Sequence, residues 1–201
     1  MAFLHAQGWT QAIQKHLRYG GKVFGMCGGF QMLGERVDDL DGLEGNSGTT
    51  EGLGLLDMTT TMVAGKQLKN VCGTLTLPTR NSGQTEAGFS GYEMHNGVSE
   101  GAALARPLGR MNGKNEGSIS ADGQVAGTYV HGIFDEPGAC EALLQWAGLD
   151  HSGAAVDYQQ HRLAQLDRLA DQVEQHLDTH WLRDLLGLEA VTTTPGPTRQ
   201  L

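Results

Sequence analysis

The chain has 201 residues, enough for one domain with a substantial core, and a formal net charge of −9, which argues against nucleic acid or an anionic membrane surface as a partner. No apolar run approaches the roughly 20 residues that span a bilayer, so no membrane association is expected. The opening MAFLHAQGWTQ has neither a basic segment nor a cleavable apolar core, and Cys27, Cys72 and Cys140 form no CxxC pair, so reduced thiols and a cytoplasmic setting are expected.

Trp9, Ile13 and Leu17 recur at helical spacing, which predicts a short helix over Thr10–Tyr19 that stops at Gly20-Gly21. Lys22–Met26 reads as a buried strand, and Phe30, Met32 and Leu33 suit a helix after Cys27. The acidic, glycine-rich stretch Glu35–Glu51 reads as a surface loop. Short β-like runs follow around Leu55–Val63, Val71–Leu77 and Phe89–His95. The stretch SISADGQVAGTYV predicts a hairpin turning at Asp122-Gly123, whose second strand, Val125–Val130, delivers His131. Cys140, Leu143, Leu144 and Trp146 share one helix. Leu163, Leu166, Leu169, Val173 and Leu177 mark a longer amphipathic helix, expected to pack on the domain. The ending TTTPGPTRQL has no periodicity and reads as a frayed tail, so residues 1–188 form one domain and 189–201 lie outside it. The class is α/β or α+β with mixed strands.

Gly25-Met26-Cys27-Gly28-Gly29 has the form of a nucleophile elbow with cysteine in the serine position. Such a turn holds the nucleophile in strained backbone, and side chains two residues away on either side would collide, which glycine avoids. It also places the sulfur at a helix N-terminus, which favours thiolate, and leaves the Gly28 N–H to donate into an oxyanion hole. A glycine-rich strand end with a small buried cysteine is the plain alternative. A thiol nucleophile needs a base. His5, His16, His151, His161, His176 and His180 lie in polar or helical surroundings and read as surface residues. His131 ends the apolar run VAGTYV and His95 ends the shorter GYEMH; the more apolar strand is the more central, which favours His131. The histidines are too dispersed for a metal cluster, and no Walker motif is present.

GMCGGFQMLG, GYEMHNG and GTYVHGIFD, in this order, with EGLGLLDM between them and HRLAQLDRLADQVEQHL after, resemble the C-terminal glutamine amidotransferase domain of cobyric acid synthase. The resemblance runs from about Phe3 to Leu188. It implies a flavodoxin-like α/β domain of the class I glutamine amidotransferases, with a mixed, mostly parallel sheet flanked by helices. The implied substrate is glutamine, hydrolysed at Cys27 and His131, with Gly28 as oxyanion donor and Gln31 helping to hold the substrate. The ammonia would serve an N-terminal synthetase domain that binds ATP and Mg and amidates corrinoid side-chain carboxylates on the way to cobalamin. No cofactor is expected in the present domain.

Two departures from the pattern carry expectations. The glutamate that typical triad members place two residues after the histidine is here Ile133, as in the cobyric acid synthase branch, so Asp135 and Glu93 are candidates for orienting His131. The resemblance also implies an upstream synthetase domain, first strand(s) and a second oxyanion loop, which predicts an N-terminally truncated or split enzyme that needs the missing domain, or a separately encoded counterpart, for activity. The amidotransferase portion of cobyrinate a,c-diamide synthase and a catalytically inert remnant are the alternatives.

Overall fold

The computed structural model describes residues 1–79, 83–149, 157–177 and 180–187, and the chain divides into two units, Met1–Tyr158 and Gln159–Leu201. In the first unit a five-residue helix α1 (Ala2–Ala6) and α2 (Trp9–Arg18) lead into β1 (Val23–Met26), which turns at Cys27 into α3 (Gly28–Leu33). The helix expected over Thr10–Tyr19 is α2, and it ends where Gly20 takes a left-handed φ of 80°. β1 runs parallel to β9 (Val125–Thr128), with Met26 opposite Thr128, and β9 in turn pairs antiparallel with β8 (Ser118–Ile119). The β8–β9 connection is the expected hairpin, with Gly123 at φ 66°.

The second sheet is built on two long strands, β4 (Thr59–Pro78) and β5 (Gln84–Glu100), paired antiparallel along almost their whole length. β2 (Arg36–Asp39) joins β4 in parallel and β3 (Gly48–Glu51) joins β2 antiparallel; β6 (Gly109–Met111) pairs with β4 and β7 (Lys114–Glu116). The two-residue strand β10 (Val130–His131) attaches to β5, with Val130 opposite Glu93 and His131 opposite Tyr92.

Three expectations are corrected here. The separate β-like runs merge into β4 and β5, except Leu55–Met58, which precedes β4 and is not a strand; a buried alternation at Val71, Leu75 and Leu77 continues through polar stretches that resemble turns, and the stretch between Met62 and Gln67 is absorbed as a register shift. The Glu35–Glu51 stretch contains β2 and β3, stabilised locally by Thr49 donating to Asp38 and by Asp39 accepting the amides of Leu43 and Glu44. The α/β class holds, but among the described residues parallel pairing is confined to β1–β9 and β2–β4, so the sheets are mixed without being mostly parallel.

Two apolar clusters hold the unit together. One packs α4 (Pro137–Ala147), through Ala139, Ala142, Leu143 and Trp146, onto Leu75, Leu77 and Phe89 of β4 and β5. The other gathers Phe30 and Leu33 of α3 with Leu56, Met58, Val125 and Tyr129, and Leu17 of α2 packs against it. In the second unit the expected long helix is α5, Tyr158–His176, followed by α6 (His180–Leu186); Leu163, Leu166 and Leu169 are exposed. The tail expected at 189–201 lies outside the described residues. No helix among the described residues is long and apolar enough to cross a membrane. Leu75 is fully buried, so Leu75→Ala is expected to lower stability by about 2–5 kcal/mol, measured by denaturant unfolding.

Candidate active site

Cys27 occupies a backbone conformation that non-glycine residues avoid, φ 52° and ψ −114°. Three hydrogen bonds around it fix this turn. Its N–H donates to Thr128 O at 2.9 Å, its own carbonyl accepts from Gln31 N at 3.2 Å, and its Sγ lies 3.7 Å from the carbonyl oxygen of Met94. Gly25 is needed sterically, since a Cβ there would lie 2.7 Å from Gly29 O and 2.6 Å from a Leu33 methyl. The matching argument for Gly29 is corrected: a Cβ on Gly29 would meet nothing within 4 Å. Gly28 is the first residue of α3, where an N–H has no intrahelical acceptor.

The motif GYEMHNG, residues 91–97, forms the opposite wall, and each of its residues is explained by what it meets. A Cβ on Gly91 would collide with the His131 carbonyl. Tyr92 stacks on His131 with ring centroids 5.0 Å apart and planes 8° from parallel. Glu93 lies 3.8 Å from His95 Nε2, and Met94 supplies the carbonyl facing the thiol. His95 binds Gly97 O through Nδ1 and stacks on Tyr129 at 3.9 Å. Asn96 donates to Glu44, and Gly97 leaves room for the Gln31 side-chain amide and for Thr60.

β5 therefore brings Cys27, His131, His95 and Gln31 to one stretch of backbone. His131 is partly buried, and its Nε2 is enclosed without a hydrogen-bond partner. Among the described residues His131 forms no ion pair. Glu93 turns to His95 instead, and Asp135 donates its N–H to Gly132 O, its carboxylate oxygen lying 3.4 Å from where a Gly132 Cβ would stand. Ile133 is fully buried in the core. His5, His16, His161 and His176 are exposed; His151 lies outside the described residues. Cys72 is an exposed free thiol and Cys140 a partly buried one.

Glu116, at the end of β7, has no signal in the sequence. Its side chain is buried, 5% exposed, and Oε1 accepts from Thr128 Oγ1 at 2.7 Å and Tyr129 N at 3.2 Å, while Oε2 has no partner. Burial pushes its pKa from the ordinary 4.5 up to about 7; the bonds from Thr128 and Tyr129 oppose that rise and the Glu93 charge adds to it. Glu116, Glu93, His95, Ser99 and Tyr129 share a cavity of about 430 Å³. Among the described residues no cluster of three or more His, Cys, Asp or Glu is arranged for a metal ion.

Fold and site together define a mixed α/β domain built around a cysteine elbow. Residues 1–139 match the CobB/CobQ-like glutamine amidotransferase domain, and the chain belongs to that family. The matched span contains β1, the elbow, all of GYEMHNG and His131.

Gly25→Ala is expected to destabilise the chain by roughly 1–3 kcal/mol, because Gly29 O is backbone and cannot yield cheaply, whereas Gly29→Ala leaves the thermal midpoint nearly unchanged. The raised pKa of Glu116 gives a second expectation. Folding retains a proton that the unfolded chain releases above about 4.5, so the contribution of the protonated carboxyl is complete below that pH and is lost as pH rises through about 7. Denaturant midpoints should therefore fall between pH 5 and pH 8, and Glu116→Gln should flatten that slope.

Proposed function

We propose that this chain hydrolyses glutamine at Cys27, with His131 as the proton carrier, and that the ammonia serves an ATP- and Mg-dependent synthetase domain. The observation that carries the reading is the strained Cys27 backbone set beside β5, with which β10 pairs, and on β10 His131 has an enclosed ring nitrogen without a partner. A buried imidazole nitrogen left unbonded is costly unless it has work with a substrate or with the thiol. Family membership supports glutamine as the substrate.

His131 takes the thiol proton as Sγ attacks the carboxamide carbon of glutamine, and the carbonyl oxygen gathers negative charge in the tetrahedral intermediate. The Gly28 N–H, free at the start of α3, donates to that oxygen. His131 returns the proton to the departing nitrogen, so the C–N bond breaks and ammonia leaves with a glutamyl thioester on Cys27. Water then attacks the thioester carbon, giving up a proton to His131, and glutamate and free thiol result. Gln31, whose amide meets Gly97 on β5, helps to hold the substrate. Asp135 and Glu93 stay outside this scheme. The ammonia acceptors in the proposal are corrinoid side-chain carboxylates, as in cobyric acid synthase, and the setting is cytoplasmic. The motifs EGLGLLDM and GYEMHNG support that choice of branch.

The test uses the chain together with its synthetase domain. Cys27→Ala is expected to abolish glutamine-dependent amidation and leave amidation from free ammonia largely intact. His131→Asn is expected to slow ammonia release at least ~10²-fold, and His95→Asn to cost less, since His95 is engaged with Gly97 and Tyr129. Equal loss of both activities in Cys27→Ala, or the reverse order for the histidines, would overturn the assignment.

A further inference from the structure

The strand that carries His131 changes sheets one residue before β10 begins. β9 pairs with the elbow strand β1 as far as Thr128, while β10, beginning at Val130, pairs with β5. Tyr129 is the hinge between the two ladders, so the amides on either side of the switch need acceptors from elsewhere. Two side chains supply them. Glu116 Oε1 accepts the Tyr129 N–H, and Thr128 Oγ1 accepts the Val130 N–H at 2.9 Å while donating its own hydrogen to Glu116. The same Thr128 gives its backbone carbonyl to the Cys27 N–H. One buried carboxyl thus ties together the residue that bonds the elbow and the segment leading to His131.

From this network we infer that Glu116 is a positioning residue for the Cys27–His131 pair, setting where the strand leaves the elbow's sheet and joins β5. The inference rests on the catalytic reading of Cys27 and His131. β1 turns away at Cys27, so the ladder it offers β9 ends at Thr128 and the strand must leave it there. Glu116 sets the direction in which it leaves, by accepting the Tyr129 amide beyond the last rung. Its own strand ends there: Gly117 takes a left-handed φ of 59°, and a Cβ on it would collide with the Gly127 carbonyl, so the carboxyl approaches β9 through a backbone contact that only glycine permits. The side chain's place against Thr128 is therefore fixed by two elements and not by a flexible loop.

The role separates from simple packing in a labelling experiment on the full chain with 6-diazo-5-oxo-L-norleucine, a glutamine mimic that alkylates an activated thiol. The variants are Glu116→Met, which keeps the shape and removes the acceptor; Glu116→Gln, which restores an acceptor oxygen; and Thr128→Val, which removes both the hydroxyl's bond to Glu116 and its bond from Val130 while Glu116 keeps the Tyr129 amide. Each is labelled where circular dichroism shows it folded. The limiting rate at Cys27 is expected to fall at least about tenfold in Glu116→Met and in Thr128→Val, with the half-saturating concentration little changed, because the reacting pair and not the substrate contacts is displaced. Glu116→Gln should recover to within about threefold of the parent, by the same reasoning on geometry. If Glu116→Met does not fold, Thr128→Val carries the test alone. Parent-like limiting rates in the folded variants would overturn the positioning role and leave the catalytic reading standing. A parent chain whose Cys27 labels no faster than the exposed Cys72 would overturn both.

Discussion

Everything in the first unit is arranged around one backbone hydrogen bond, from the Cys27 N–H to the Thr128 carbonyl. It is the last rung of the parallel β1–β9 pairing, and it falls on the residue whose φ of 52° reverses the chain into α3. Strain of this kind costs on the order of 1–3 kcal/mol and persists only when surroundings fix it from several sides. Here the surroundings are β9 through Thr128, α3 through the bond from Gln31 to the Cys27 carbonyl, and the bare Gly25 surface against which Gly29 and Leu33 close. Phe30 and Leu33 then bury α3 in the cluster that also contains Val125 and Tyr129, so apolar packing holds the turn that the backbone alone would relax.

The elbow explains why β5 is the second wall. In the proposed reaction the thiol at the end of β1 takes a proton carrier from a separate element, and β5 passes close enough for Met94 O to lie 3.7 Å from Sγ. The antiparallel pairing of β10 then sets His131 opposite Tyr92, two residues from Met94 on the same strand. Between the two partners the chain crosses from one sheet to the other, and this crossing is where buried polar groups concentrate. Thr128, Glu116, Tyr129, Ser99 and Thr60 form a continuous run of hydrogen bonds beneath the site, ending in the Tyr129 hydroxyl to Ser99 at 2.7 Å and Ser99 to Thr60 at 2.8 Å. Such a run rigidifies a core when every member is satisfied, and the unpartnered Oε2 of Glu116 is the exception; burial of that carboxyl is what raises its pKa.

What was legible in the sequence and what was not divide along physical lines. An elbow leaves a mark in sequence because its backbone demands glycine two residues from the turning residue; Gly25 carries that mark, while Gly29, which faces open space, does not. The α2–β1–α3 order and the hairpin at Gly123 were legible for similar reasons, being written in local periodicity and turn residues. VAGTYVH read as one strand, because no single-sequence pattern reveals that hydrogen bonds change partners at Tyr129. The two long strands were broken into short runs because polar stretches in an exposed ribbon look like turns. Glu116, in GKNEGSIS, gave no signal at all, since a lone glutamate among glycines and polar residues reads as solvated surface. Its burial follows from tertiary contacts across twelve residues of chain to Thr128.

The imidazole without a carboxylate is the last step in this logic. In a Cys–His–carboxylate arrangement the third group fixes the ring by a hydrogen bond and favours its charged form. Here Glu93 is turned to His95 and Ile133 is packed in the core, so the His131 ring is fixed by other means: the face of Tyr92, 8° from parallel, and the rigid antiparallel rungs of Val130 and His131 on β5. Stacking constrains the ring plane without a hydrogen bond. The aim of a ring held in this way depends on the backbone that carries it. On the proposed role of Glu116, that dependence links the hinge at Tyr129, and the carboxyl that holds it, to the pair at Cys27 and His131.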